Sequence, residues 1–346
     1  MKAERSSASY KLFVGIDIAA ETASAAIVSQ DGIAGAEFTI EQTPRGMTRL
    51  KRELLATKNK AGHVLVVMEA TGNYWMRLAT SLFGAGFAVS IVNPTQACHF
   101  AQAILKRAKT DAIDAQMLAH YARILQPQPW VPAPPIYEEL LQRLSERDNL
   151  VQMRQQVRNQ LHALHHRPDV ISAVEQRMGQ LLVTFQAQIE TIEGEIKSLM
   201  QQGHAWAIAA QLLQSIPGVG AITAAWLLVA THNFTSCESP EQLAAYAGLA
   251  PYPHQSGTSV HRRSSIGHTG HARLRRALYL ATLSATRYNP FIKKFYDRLR
   301  VQGKPMKVAR CAAARKLIHL AWAVVMKQTP FAPHYQQKQA MQMQIA

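Results

Sequence analysis

The chain has 346 residues, 48 % hydrophobic and 17 % charged, which fits a globular protein with two or three cored domains and excludes wholesale disorder. Lys and Arg number 38 against 22 Asp and Glu, a formal net charge of +16, and nearly all of that excess lies in residues 261–316, whose single acid is Asp297. No apolar run reaches the ~18–20 residues that span a bilayer, the start MKAERSSASYK lacks the apolar core of a signal peptide, and the scattered Cys98, Cys237 and Cys311 fit neither a disulfide framework nor a zinc pattern.

From the N-terminus, KLFVGIDIA and SAAIVSQ read as β-strands, and Asp31-Gly32 turns the second into IAGAEFTI. A helix follows over 44–57, with Thr43 as N-cap and Pro44 at its first position. HVLVVMEA and FAVSIVNP are continuous apolar runs, the pattern of strands buried on both faces, with a helix over about 74–84 between them. Helical segments over 95–125 complete an α/β layered region. The expected organisation is a disordered tail at 1–10, this domain at 11–126, and a stiff linker, PQPWVPAPP, at 127–135.

Beyond the linker the apolar period becomes helical. Val174, Met178, Leu181, Phe185, Ile189, Ile192, Ile196 and Leu199 form a row at heptad spacing, and Pro168 separates it from an earlier helix carrying Leu140, Leu144, Val157, Leu161 and Leu164. A coiled-coil helical hairpin over 136–203 is expected, either an oligomer contact or an intramolecular spacer. Residues 204–332 contain no convincing strand run and read as a helical domain. Within it, LLQSIPGVGAITAAWLLVA places two apolar helices around a Gly-x-Gly turn. That is either a helix-hairpin-helix able to hold a backbone phosphate or a tight interhelical turn. The polar tail at 333–346 is expected to be disordered.

The stretch LAPYPHQSGTSVHRRSS (249–265) is too polar for core and too rich in hydroxyls for an ordinary linker. It reads either as a surface turn entering a basic helix or as a loop presenting a nucleophilic hydroxyl beside phosphate-binding groups. Basic residues then recur at helical spacing without intervening acids: Arg262, Arg263, Arg273, Arg275, Arg276, Lys293 and Lys294 are the candidate nucleic-acid contacts. One-signed charge of this density calls for a polyanion, DNA or RNA. An anionic membrane is disfavoured because no strongly apolar face accompanies the charge.

Four acids in the first region are candidates for chemistry. Asp17 lies within the strand VGIDIA and Glu69 ends the strand VLVVME, where an unpaired charge is costly. Asp111 and Asp114 are three apart on one helix face; favourable acids in a first turn capped by Thr110 would account for them equally well. In a ribonuclease-H-like fold the first strand and the end of the fourth are neighbours, and a later helix packs beside them. All four carboxylates would then share a cleft suited to Mg²⁺ or Mn²⁺ and to phosphoryl transfer.

Taken in order, VGIDIA, MEATGNY, VNPTQACHFA, KTDAID, SIPGVGAITA, LAAYAGLAP, the SGTS loop and GHARLRRALY closely resemble the insertion-sequence transposases with an Asp-Glu-Asp-Asp active site and a second, serine-bearing domain. This is the family associated with bridge-RNA-guided recombination, and the resemblance covers about residues 11–332. It implies a RuvC-like N-terminal domain whose metal-binding, catalytic acids are Asp17, Glu69, Asp111 and Asp114, and a nucleophile at Ser256 that becomes joined to DNA. It further implies donor and target DNA, a structured noncoding bridge RNA, and a homo-oligomer (dimer or tetramer) in which one subunit's serine meets another's carboxylates. A cytoplasmic, nucleoid-associated location follows. His268 stands where many relatives carry lysine, which puts that one phosphate contact in doubt.

Two other functions compete. An actin-like ATPase or kinase would need a second phosphate loop of the Asp-x-Gly-Gly type, which is absent, and would leave the basic segment idle. A non-catalytic helix-hairpin-helix DNA-binding protein would leave Asp17 and Glu69 unexplained. Tyr252 is an alternative nucleophile, but tyrosine recombinases use an Arg/His set. His254, His261, His268 and His271 match no familiar zinc spacing.

Overall fold

The computed structural model describes residues 10–57, 59–105, 110–256, 260–267 and 269–333, with backbone alone at 204, 253–256 and 260–264. Both tails therefore lie almost wholly outside the described residues, as do Gly257, Thr258, Ser259 and His268. The chain forms two compact units, Met1–Pro132 and Ala133–Ala346. It is a mixed α/β protein, mostly helical, with a five-stranded sheet in the first unit.

The sheet consists of β1 (Leu12–Ile18), β2 (Thr22–Ser29), β3 (Ala34–Glu41), β4 (Val64–Glu69) and β5 (Ala88–Val92), in the order β3-β2-β1-β4-β5. The first three form an antiparallel meander, whereas β4 lies parallel to both β1 and β5. Helices α1 (Pro44–Ala56) and α2 (Trp75–Gly84) cover one face, burying Leu50, Leu54 and Leu78 against Val14 and Ile16. The other face carries α3 (Pro94–Ala103) and α4 (Asp111–Leu125), where Leu118 and Ala122 meet Phe13 and Val67. Burial on both faces is why these strands read as unbroken apolar runs.

Capping fixes where the helices begin. Thr43 Oγ1 accepts from Gly46 N at 3.1 Å to start α1, and Thr110 Oγ1 accepts from Ile113 N at 3.3 Å to start α4. The helical segments expected over 95–125 are α3 and α4. The first part of the proline-rich linker is strapped onto the first unit: Trp130 N donates to Val89 O at 2.6 Å, and its ring packs edge-on against Trp75 at 5.5 Å.

In the second unit, α5 (Pro135–Leu164) and α6 (Ser172–Gln201) lie antiparallel. Arg143 pairs with Glu195 at 2.9 Å and Arg147 with Glu193 at 2.8 Å, and the His165–Glu175 contact at 2.7 Å lies next to the connecting turn. The heptad row divides along its length. Ile189, Ile192, Ile196 and Leu199 are buried with Leu140 and Leu144 in the main core. Leu181, near the far end, is 48 % exposed.

The remaining helices are α7 (His204–Gln214), α8 (Ala221–Ala230), α9 (Pro240–Tyr246), α10 (Ala272–Tyr288), α11 (Pro290–Val301) and α12 (Met306–Met326). They pack around Trp226, Leu213, Leu278 and Ile318. The unit also holds two strands where the sequence reading found none: β6 (Tyr252–Ser256) and β7 (Val260–Ser265), an antiparallel ribbon. Its sequences, YPHQS and VHRRSS, are short and mostly polar, so they carry no apolar alternation to detect. No described helix is long and apolar enough to cross a membrane.

Candidate active site and nucleic-acid interface

Side chains alternate along β1, and odd-numbered residues face α4. Gly15 is the point of closest approach: a Cβ there would lie 2.0 Å from Ala115 O and 2.2 Å from Ala119 N. The absent side chain lets the α4 backbone rest on the strand. Asp17 stands two residues further along the same face, and Asp111 and Asp114 stand one turn before Ala115 and Leu118. The β1–β4 register runs to Ile16 opposite Met68, one residue before Asp17 and Glu69. Glu69 Oε1 accepts from Thr71 Oγ1 at 3.2 Å.

The electrostatics record this convergence. Burial pushes the Asp17 carboxyl above the ordinary carboxylate pKa, and the negative charges of Asp114, Asp111 and, more weakly, Glu69 push it further. A hydrogen bond from the Ile18 backbone works in the opposite direction. Three like charges acting on one half-buried acid are the pattern a cation would relieve. All four donors are hard oxygens, the class suited to Mg²⁺ or Mn²⁺. They share one electrostatic field rather than a closed coordination shell: among the described residues no group of three or more His, Cys, Asp or Glu is assembled as a metal site.

In the second unit Ser256 is the last residue of β6, its backbone opposite Val260, while Gln255 pairs with His261 and His254 with Arg262. The ribbon is tied down at its base. Gly248, at φ +69°, packs so closely that a Cβ would lie 2.4 Å from Thr269 O. His271 N donates to Tyr246 O at 2.7 Å, and the Tyr252 and Thr269 hydroxyls lie 3.0 Å apart. Tyr252 thus sits at the base of the ribbon. His271 Nδ1 accepts from Leu274 N at 3.1 Å and caps α10, and burial lowers its pKa, which favours the neutral ring that this cap requires. The side chains of Ser256, Arg262, Arg263, His254 and His261 lie outside the described set.

The other basic candidates serve different ends. Lys293 and Lys294 are exposed on α11. Arg273 lies over the Trp226 ring at 5.8 Å and hydrogen-bonds Ser145. Arg276 faces an open groove of about 610 Å³ lined by the amides of Gln152, Gln155, Gln156 and Asn159 on α5. Arg275 turns inward, donating to Thr269 O at 2.8 Å beside Gly248, and so braces the ribbon's base. Among the described residues, no Lys or Arg of 261–316 forms an ion pair with a carboxylate. Sequence reasoning missed both the ribbon and Gly15. A glycine inside an apolar strand was the available signal for the latter.

Two family models match the chain. One, described as "Transposase" and representing the IS110-type DEDD transposases, matches residues 14–166. The other, described as "Transposase IS116/IS110/IS902 family", matches residues 210–297. The chain is 33 % identical to the pilin gene-inverting protein of Moraxella bovis over 324 residues, 93 % of this chain and 98 % of that protein. It is 26 % identical to the transposase for insertion sequence element IS1328 of Yersinia enterocolitica over 299 residues, 78 % of this chain and 85 % of the relative.

Proposed function

The chain belongs to the IS110/IS116/IS902 family of transposases, DNA-processing enzymes, and from that premise we propose that it cuts and rejoins DNA strands through a covalent Ser256–DNA intermediate. The convergence of Glu69, Asp111 and Asp114 on Asp17 carries this reading. The strand order β3-β2-β1-β4-β5 supports a RuvC-like, ribonuclease-H-type first domain. Asp17, Glu69, Asp111 and Asp114 would hold the divalent ion, Mg²⁺ or Mn²⁺. When bound, that ion supplies neutralisation of phosphate charge.

Ser256 Oγ attacks phosphorus and gives up its proton. A Ser–O–P bond forms as the P–O bond to the departing strand breaks, and the departing oxygen takes up a proton. A second strand's hydroxyl reverses the step, so rejoining needs no ATP. Arg262, in register with His254 on the Ser256 strand, and its neighbour Arg263 would bind the flanking phosphates. Arg273, Arg276, Lys293 and Lys294 would extend the contact. Their lack of carboxylate partners among the described residues supports a polyanionic occupant.

Donor and target DNA are the substrates in this reading, and a structured RNA supplies sequence choice. Strand exchange between sites on separate molecules produces insertion, and between inverted sites on one molecule produces inversion, in keeping with the name of the Moraxella relative. Leu181 and the far end of the α5–α6 hairpin, which their own unit leaves uncovered, support a homo-oligomeric contact. The Gly-x-Gly turn between α7 and α8 would act as a helix-hairpin-helix phosphate contact, and the protein would work in the cytoplasm at the nucleoid.

The test is a denaturing gel of protein incubated with its DNA sites, its RNA and Mg²⁺. Wild type should yield a protein–DNA adduct. Ser256→Ala, Asp17→Asn, Glu69→Gln and EDTA should each reduce it at least about 10³-fold, the scale on which a major source of transition-state stabilisation acts. Thr258→Ala and Ser259→Ala should retain it. An adduct persisting in Ser256→Ala, or lost with Tyr252→Phe, would identify a different nucleophile.

A further inference from the structure

The first unit holds a second feature that the acid cluster does not use. An open cavity of about 840 Å³ is lined by Arg45, Arg49 and Arg52 of α1 together with threonines of β2, β3 and the α1 entry. The arginines are spaced four and three apart, so they form one stripe along the helix. All three are exposed. Among the described residues Arg45 and Arg49 have no carboxylate ion pair, and Arg52 makes only a 3.4 Å contact with its exposed neighbour Glu53. Such a pair leaves most of the guanidinium's field available.

Thr22, Thr39 and Thr43 add hydroxyls to the lining; Thr39 Oγ1 lies 3.2 Å from Ser24 Oγ, and the Thr48 hydroxyl, also in the lining, is spent on Pro44 O at 2.8 Å. Thr43 Oγ1 already accepts from Gly46 N, which leaves its proton to donate outward. Guanidinium and hydroxyl groups are the side chains that bind phosphate oxygens without reading bases. Glu41 is the carboxylate in the lining, at its edge with the sheet. The apolar side chains in the wall are Ile40, which is buried, and Pro44.

Topology locates this groove relative to the acids. β3 is related to β1 by two antiparallel steps, so the two run in the same direction. Thr22 pairs with Glu41, and Ile18 pairs with Ala23. The end of β3 and the start of α1 therefore lie at the edge of the sheet where Asp17 stands. Gln42 stitches that edge together, its N donating to Glu21 O at 2.8 Å and its Nε2 to Ala19 O at 2.7 Å. β1 and β3 are two strand spacings apart, about 10 Å. Helix α1 covers the face of the sheet opposite α4, so a strand held in the groove would reach Asp17 around the strand ends, past Thr22 and Thr39, which stand on the Asp17 face.

We propose that Arg45, Arg49 and Arg52, with the surrounding threonine hydroxyls, hold the sugar-phosphate backbone of the DNA strand flanking the phosphodiester presented to Asp17 and Glu69. The placement rests on the carboxylates being the cutting site. The groove fixes the register of the scissile phosphate without contributing to sequence choice.

The experiment uses the full chain carrying Asp17→Asn, with a fluorescein-labelled DNA duplex followed by anisotropy through a NaCl series. Adding R45A/R49A/R52A should flatten the plot of log K against log salt by about 2–3, at about 0.9 per lost phosphate contact. R45K/R49K/R52K should keep the parent slope, which separates charge from folding. An alanine variant with the parent's slope would overturn the proposal. A slope reduced only on an RNA duplex of the same sequence would also overturn it. Should Asp17→Asn leave cutting intact, the cutting-site reading and the groove's placement beside it both fail. The salt slope would still report whether the groove holds DNA.

Discussion

The carboxylates of the first unit stand on hydrogen-bonded strands and on a helix whose backbone touches the sheet, whereas the serine of the second unit stands on a polar two-stranded ribbon held at its base. In the first, position is set by burial: Val14, Ile16, Val66 and Leu118 are inaccessible to solvent or nearly so, and the acids extend from elements that cannot shift without opening that core. In the second, position is set by a few polar contacts around Gly248, Thr269 and Arg275. Under the proposed function the contrast has a use: fixed donors suit an ion site, and a tethered ribbon suits a serine that must reach a phosphate and then release it.

The largest expected effect comes from forcing the rigid half apart. Gly15→Ala puts a methyl group into the α4 backbone, which has no flexible side chain to yield. The cost should reach or exceed the upper end of the about 1–3 kcal/mol typical of overpacking. A denaturant melt should show it, and cutting should be lost with it. Unchanged stability would mean that α4 is not pressed on β1 as described.

The tethered half should break differently. Gly248→Ala adds about 1–2 kcal/mol of left-handed backbone strain and a clash with Thr269 O. We expect the ribbon to become protease-sensitive and the covalent adduct to disappear while hydrogen exchange in the first unit stays unchanged. Exchange rates rising equally in both units would erase the contrast.

The smallest effect is a difference of sign with pH. His232, His271 and His319, all in the second unit, have pKa values lowered from 6.5, chiefly by burial. Their neutral forms favour the fold, so that contribution is complete above pH 6.5 and is lost as pH falls through the lowered values. The Asp17 pKa is raised, so its charge opposes folding at neutral pH, and the penalty fades as pH falls through the raised value. Asp17→Asn should therefore stabilise the fold slightly in EDTA, by less than about 1 kcal/mol once solvent screening is allowed for, read as a small rise in melting temperature. Mild acidification should lower the hydrogen-exchange protection factors, taken relative to the intrinsic rate at each pH, in the second unit first. Lower protection factors in the first unit would reverse the assignment.

Much of the first unit was legible because its signals are local or periodic. Thr43-Pro44 marked the start of α1, Thr110 that of α4, and the apolar runs marked β1, β4 and β5. The heptad row was legible as helix, but not where it leaves the core: the residues on either side of Phe185 are equally apolar and differ only in what packs on them. The basic segment was legible as a sum of charge. That sum concealed Arg275, which turns inward, and drew attention away from Arg45, Arg49 and Arg52, whose stripe is diluted among neutral residues of α1.

Residue identity by itself determined the elements with strong period or capping chemistry, the one-signed charge, and the family resemblance carried by ordered motifs. These depend on interactions within a few residues or on composition. Only the tertiary structure decided that Gly15 brings Asp111 and Asp114 to Asp17, that the α1 arginines share an edge with the acids, and that the polar stretch ending at Ser265 pairs with itself. Each of those depends on which backbones meet across a long stretch of chain, and that is set by packing rather than by local sequence.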